Sequence, residues 1–452
     1  MSIPPQDSRP ETTILELGDG FYDPVAAADF PQTLLRFRND RAAAEVGLDT
    51  LSDADWLRHF GRFDPLPGSL DQPLALRYHG HQFRNYNPEI GDGRGFLFAQ
   101  LRDDRGRLMD LGTKGSGTTP WSRFGDGRLT LKGGMREVLA TEMLQALGVN
   151  TSRTFSLIET GEALERGDEP SPTRSAVMVR LSHGHIRIGT FQRLAYLRDA
   201  EAMERLVGYV LRNLYGEEPG KDAPVRLLDL VVDRTATLAA SYMAAGFVHG
   251  VLNTDNINVT GESFDYGPWR FAPTWDPAFT AAYFDHAGLY AFGRQPEAIH
   301  WNATQLAISL RALVEAEPLI AVLDTFAERY QSAVSAAILW RLGVVPRDPT
   351  SDRALVQTIE RGLRTSGLGI DRFYFDAFGG LAPDGAAFDE LRAALEPYAP
   401  RKSRDHRYWH GEPCAMLIDE VEAIWAAIDQ RDDWAPFDAK VTQIRTMGEA
   451  LA

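Results

Sequence analysis

The chain has 452 residues, 44% hydrophobic and 24% charged, with a formal net charge of −16 and a single cysteine, Cys414. Such a length implies two or three packed units, and the negative charge opposes binding to a phosphate backbone, so no nucleic-acid partner is expected. One cysteine permits neither an intrachain disulfide nor a cysteine-cluster zinc site, and Cys414 is expected to be a small buried residue.

The start, MSIPPQDSRPETT, is polar and lacks the basic-then-apolar order of a signal peptide. No apolar run approaches the ~20 residues needed to cross a bilayer. A disordered leader, a cytoplasmic location and no membrane partner are therefore expected. In residues 15–70 only one helix is predicted, over 53–60 with Ser52 as its N-cap. From Leu74 the texture alternates, and strands over 96–101 and 108–113 flank the polar turn Asp103-Asp104-Arg105-Gly106, a hairpin signature.

Before that hairpin stands Ile90-Gly91-Asp92-Gly93-Arg94-Gly95. Alternating glycines let a backbone approach a phosphate, and Arg94 adds charge, although a glycine-rich turn is often only structural. The spacing is not that of a Rossmann turn, and Gly220-Lys221-Asp222 is no Walker A loop. The second strand ends at Lys114, and a helix is predicted over 135–147 with Glu137 in its first turn. Glu137 either complements the helix N-terminus or pairs with Lys114, as the strand lysine and helix glutamate of kinases do.

Two further strands are predicted over 154–158 and 176–181, separated by the loop 161–173. Between Pro170 and Arg198 there is no acid, while Arg174, Arg180, Arg187, Arg193 and Arg198 occur with His183 and His185. This stretch is either a solvated face or a clamp for a highly charged anion. Helical periodicity follows over 201–215, 225–245, 301–316, 320–340 and 416–428. A sheet-rich part followed by a larger helical part predicts an α+β, protein-kinase-like two-lobe fold with nucleotide in the cleft. The expected divisions are 1–70, 71–190, 191–345 and 346–452. The pairs His79/His81 and His183/His185 admit a metal-site reading, but they lack a clear carboxylate partner.

The chemistry centres on residues 249–267, HGVLNTDNINVTGESFDYG. Kinases carry a similar loop with an Asp two residues after the His, where this chain has Val251. Asn256 and Asp265 supply the oxygen donors that Mg²⁺ or Mn²⁺ prefers, with Asp255 as the nearest base for a hydroxyl.

The blocks GDGRGF, LGTKGSGTTPWSRFGDGR, GGMREVLATEMLQALGV, RLSHGHIRIGTF and HGVLNTDNINVTGESFDYGPWRF resemble those of the selenoprotein O family of kinase-like protein adenylyltransferases. The resemblance implies ATP bound turned around relative to ordinary kinases, with AMP transferred to Ser, Thr or Tyr hydroxyls of acceptor proteins and pyrophosphate released. It also implies nucleotide contacts from Gly91, Gly93, Arg94, Lys114, Asp126, Gly127, Arg180, Arg187 and Asp265, and metal ligation by Asn256 and Asp265. Asp255 would accept the proton and Glu137 would orient Lys114. Two departures stand out: no cysteine lies near the C-terminus, and Gly95 replaces a frequent Ala, read as a minor change. A phosphotransferase using the same cleft, or a nucleotide-binding scaffold without activity, are the alternatives.

Overall fold

The structure, a computed structural model, describes residues 7–167 and 169–452. It opens with β1 (Pro10–Glu11), β2 (Tyr22–Pro24), β3 (Leu34–Arg38), α1 (Asp40–Glu45) and α2 (Asp53–Gly61). Next come β4 (Leu74–Leu76), a small hairpin of β5 (Gly80–Gln82) and β6 (Asn85–Asn87), then β7 (Leu97–Arg102) and β8 (Leu108–Lys114). β9 (Leu129–Thr130), α3 (Leu131–Ala146), β10 (Arg153–Leu164) and β11 (Thr173–Ser182) complete this part. Apart from β5 and β6, these strands form one antiparallel sheet in the order β2-β4-β7-β8-β11-β10-β3, with β1 on β7 and β9 on β11.

The helical part contains α4 (Ile188–Leu197), α5 (Ala200–Val210), α6 (Ala223–Ala245), α7 (Gln295–Leu310), α8 (Ala316–Leu323) and α9 (Phe326–Leu342). A two-stranded ribbon of β12 (Phe247–Val248) and β13 (Arg270–Phe271) brackets the loop that carries the 249–267 motif. α10 (Pro349–Ser366), α11 (Ile370–Ala377), α12 (Asp389–Leu395), α13 (Ile418–Arg431) and α14 (Ala435–Leu451) follow. The molecule is thus a mixed α/β protein with a sheet-based part and a helical part.

One face of the sheet buries Trp56 and Phe60 of α2 against Phe98 and Phe155, with Trp56 stacked on Phe155 at 4.8 Å. The other face packs on α3 through Met135, Leu139 and Leu144, and this core continues into Leu228, Val232 and Ala236 of α6. Each large apolar side chain buried in this way contributes about 1.5–3 kcal/mol. Long-range ion pairs fasten the C-terminal helices to the sheet: Arg445 of α14 holds Glu142 of α3, and Asp432 holds Arg36 and Arg174.

Several elements differ from their sequence signatures for identifiable reasons. α3 begins at Leu131, four residues earlier than predicted, because Thr130 caps it by accepting the Gly133 N–H at 3.1 Å. Gly133 and Gly134 hide this start, glycine being a poor helix former. Glu137 therefore lies beyond the first turn. The run predicted over 320–340 is split between α8 and α9, with the Thr325 hydroxyl turned back to the Val322 carbonyl at 2.7 Å. The segment 201–215 leaves α-helical geometry at Leu211 and closes with a π turn ending at Gly216. Pro10 and Glu11 of the polar start pair with Leu101 and Gln100, while residues 1–6 lie outside the described residues. The helix predicted over 53–60 is α2, and Ser52 caps it through the Asp55 N–H.

Candidate active site

A cleft of about 790 Å³ opens between the sheet and the loops of the helical part. The glycine-rich turn contributes Gly91, Gly93 and Arg94, and the segment after β8 contributes Asp126 and Gly127. Lys114, Arg180 and Arg187 line it as well, facing Asp255, Asn256 and Asp265. The site residues that the resemblance implies all line this one cavity, except Glu137, which pairs with Lys114.

Strand register explains how the cations meet. Lys114 on β8 lies opposite Met178 on β11, and Gly112 lies opposite Arg180, so Lys114 and Arg180 project from the same face. Lys114 forms a buried ion pair with Glu137, and its ammonium also sits 3.2 Å from Asp265 Oδ1. Arg180 Nη1 donates to Asp265 Oδ1 at 3.0 Å, and Arg187 Nη1 lies 3.6 Å from Oδ2. Burial alone would raise the pKa of Asp265, but Arg180, Lys114 and Arg187 outweigh it and hold the carboxyl well below its usual range. Asp265 also adopts a left-handed backbone, φ 64°, an uncommon conformation for a residue with a Cβ.

Asp255 follows a different logic. It is buried on a short 3₁₀ turn, Thr254–Asn256, and burial pushes its carboxyl up to about 6 against the pull of Arg187. Among the described residues its Oδ1 has no hydrogen-bond partner. Asn256 donates its Nδ2 to the Val251 carbonyl at 3.0 Å, which leaves its amide oxygen available. Asn258 forms an isolated antiparallel bridge with Arg187. The Ile188 N–H donates to Ile257 O, and the Val259 N–H donates to Ile186 O, both at 3.0 Å. This bridge sets the basic segment against the motif loop.

The acid-free stretch does not act as one patch. Arg180 and Arg187 enter the cleft, whereas Arg174 pairs with Glu159 and Asp432, and Arg193 donates to the Gly20 carbonyl. His185 accepts from Arg180 Nε at 3.2 Å, and its Nδ1 faces Asp110 Oδ2 at 3.3 Å. Burial lowers its pKa, so a neutral ring holds the arginine in place. Neither His-x-His pair gathers further ligands, and no group of three or more His, Cys, Asp or Glu suited to a metal occurs among the described residues.

Other lining residues were not singled out. Asp92 accepts the Leu76 N–H at 3.0 Å and faces Arg187 at 3.4 Å; its position inside the glycine-rich turn was the available signal. Tyr78 stacks under Arg187 at 4.3 Å, and Arg166 holds Asp126 at 2.8 Å from a loop forty residues away, which no local pattern announces. The Gly95 substitution is not minor in this backbone, since a Cβ there would lie 2.1 Å from the Thr113 carbonyl oxygen.

The family described as Protein adenylyltransferase SelO matches residues 6–383. The chain belongs to the SelO family. A relative from Gloeobacter violaceus, Protein nucleotidyltransferase YdiU, is 45% identical over 464 positions, covering 96% of this chain and 94% of that protein. The protein of the same name from Synechocystis is 42% identical over 469 positions, covering 96% and 98%. The one from Rhodococcus jostii is 35% identical over 456 positions, covering 94% and 85%. The SelO-family match includes every residue lining the cleft, whereas α12, α13 and α14 lie beyond it.

Proposed function

We propose that this SelO-family protein is an adenylyltransferase that moves AMP from ATP to Ser, Thr or Tyr hydroxyls of acceptor proteins and releases pyrophosphate. The observation that carries this is the separation of charge in the cleft. Lys114, Arg180 and Arg187 converge on Asp265, while the buried Asp255 lines the same cleft with its Oδ1 hydrogen-bonded to none of them, and Val251, also in the lining, cannot accept a proton. The cationic group suits the β- and γ-phosphates, leaving the α-phosphate toward Asp255. That orientation, in a kinase-like two-lobe frame, is turned around relative to γ-phosphoryl transfer.

In the transfer, the acceptor hydroxyl oxygen bonds to the α-phosphorus as the bond to the α,β-bridging oxygen breaks. The hydroxyl proton passes to Asp255, and the charge of the departing pyrophosphate is met by Lys114, Arg180 and Arg187. Glu137 holds Lys114 in position. Asn256, through its free amide oxygen, and the ionised Asp265 would hold Mg²⁺ or Mn²⁺, and phosphate oxygens and water suit the rest of such a hard ion's shell. When bound, the ion neutralises phosphate charge. A cytoplasmic setting with access to ATP belongs to the same proposal.

ATP labelled separately at the α- and γ-phosphates tests it. Stable α-label in protein, with an adenylyl mass increment on Ser, Thr or Tyr, is expected. Incorporation of γ-label without α-label would establish a phosphotransferase instead.

A further inference from the structure

The β5–β6 hairpin contains His79-Gly80-His81-Gln82, which the transfer described above does not use. It is fastened to the loop bearing Asp255. The His81 N–H donates to Thr254 Oγ1 at 2.7 Å, and the Phe83 N–H donates to Asn253 Oδ1 at 3.0 Å. Thr254 Oγ1 donates to Gln192 Oε1 at 2.6 Å, and Gln192 Nε2 donates to His81 Nδ1 at 2.7 Å, closing a ring around residues 81, 192 and 254. The hairpin turn places Phe83 and Arg84 at φ 49° and 63°, a left-handed conformation that costs energy in residues with a Cβ. Packing of Phe83 against Phe284 and Tyr290 helps to hold it there.

One residue of the hairpin faces the carboxylate itself, and a second lines the same cleft. A Cβ on Gly80 would lie 2.8 Å from Asp255 Oδ1 and 3.2 Å from its Cβ, so the carboxylate occupies space that only glycine leaves open. Gln82, two residues further along β5 and so on the same face as Gly80, lines the same cleft as Asp255. Its Oε1 accepts from Asn87 Nδ2 at 3.2 Å, which leaves its amide nitrogen as the donor it can offer in the cleft.

We propose that this hairpin is a working part of the catalytic centre, with Gln82 a positioning residue that orients the Asp255 carboxylate and Gly80 the gap into which it fits. The proposal rests on Asp255 being the proton acceptor. A buried carboxylate oxygen without a fixed partner can point away from the hydroxyl it must serve, and a donor anchored on a separate hairpin restricts it.

The test uses the full chain, α-labelled ATP with casein added as acceptor, incorporation counted over all protein present, and ATP affinity and melting temperature measured separately. Gln82→Ala is expected to lower kcat about tenfold or more, with ATP affinity within about twofold of the unaltered protein. Gln82→Glu, of equal size but without the donor, should be at least as damaging, and Gly80→Ala should also lower kcat. His81→Ala, which opens the ring, should speed amide exchange across residues 253–256, whereas Gln82→Ala should not. In the Asp255→Ala background, Gln82→Ala should change residual turnover little, because the two act as one unit.

An inactive Asp255→Ala beside a fully active Gln82→Ala would overturn the proposal alone. So would losses that simply multiply in the double variant. Full activity of Asp255→Ala would remove the base assignment and the proposal with it.

Discussion

Lys114 is shared between two carboxylates: its ammonium pairs with Glu137 of α3 and also lies 3.2 Å from Asp265 Oδ1. Glu137 is only 2% exposed, so its charge depends on this partner. Lys114→Met should cost about 3–5 kcal/mol of stability by leaving a buried charge uncompensated, and should weaken ATP binding as well. Denaturant unfolding and nucleotide titration check the two effects; an unchanged unfolding midpoint would contradict the buried-pair account.

Asp265 gathers three cations and is the carboxylate proposed above to hold a divalent ion. Chelation should abolish AMP incorporation, and Mg²⁺ or Mn²⁺ should restore it. Asp265→Asn should lower metal-supported turnover about 100-fold or more, without loss of metal-free nucleotide binding. Full turnover of that variant would reject Asp265 as a ligand.

Glu262 accepts the His183 N–H at 3.0 and 3.2 Å, and burial pushes its carboxyl up to about 7 from an ordinary 4.5. As pH rises between these values the unfolded chain loses this proton first, so stability falls across the window and is flat above it. Glu262→Gln should remove that slope and raise stability by about 1–3 kcal/mol near pH 8. Unfolding curves from about pH 4 to 8 would show it, and parallel curves for both proteins would refute it.

Arg445 on α14 grips Glu142 on α3 through Nε at 2.7 Å and Nη2 at 2.9 Å. After Arg445→Ala, only the weak Asn39 contact at 3.3 Å remains for a buried carboxylate among the described residues. A loss of about 3 kcal/mol is expected by thermal or denaturant unfolding. If stability were unchanged, α14 would not be clamping α3.

Cys414 is 1% exposed, and burial raises its thiol to about 12. A thiol reagent should label it only after unfolding, and Cys414→Ser should leave AMP incorporation unchanged. Rapid labelling of the native protein would show an accessible thiolate instead.

Local pattern was enough to place β7 and β8 within a residue, to cap α2 at Ser52, and to draw attention to Lys114, Asp255, Asn256 and Asp265, which line one cleft. Hairpin turns, amphipathic periodicity and the order of a motif are written in neighbouring residues, so they can be read along the chain. The start of α3 could not, because Gly133 and Gly134 argue against a helix that Thr130 and the sheet beneath it nevertheless enforce. With that start, Glu137 moves out of reach of a helix-terminus role and into the pair with Lys114.

The partners of individual charges depended on distant packing. Arg174 and Arg180 share one strand and one face, six residues or about 20 Å apart at the usual strand rise. In sequence they look alike. One meets Glu159 and Asp432 and ties the sheet to the C-terminal helices; the other meets Asp265 in the cleft. A side chain's type is local, but whether its charge is solvated, structural or available to a ligand is settled by what the fold carries to its tip. The same holds for Gly80 and Gln82, which precede Asp255 by more than 170 residues yet share its cleft, where a Cβ on Gly80 would come within 2.8 Å of its Oδ1.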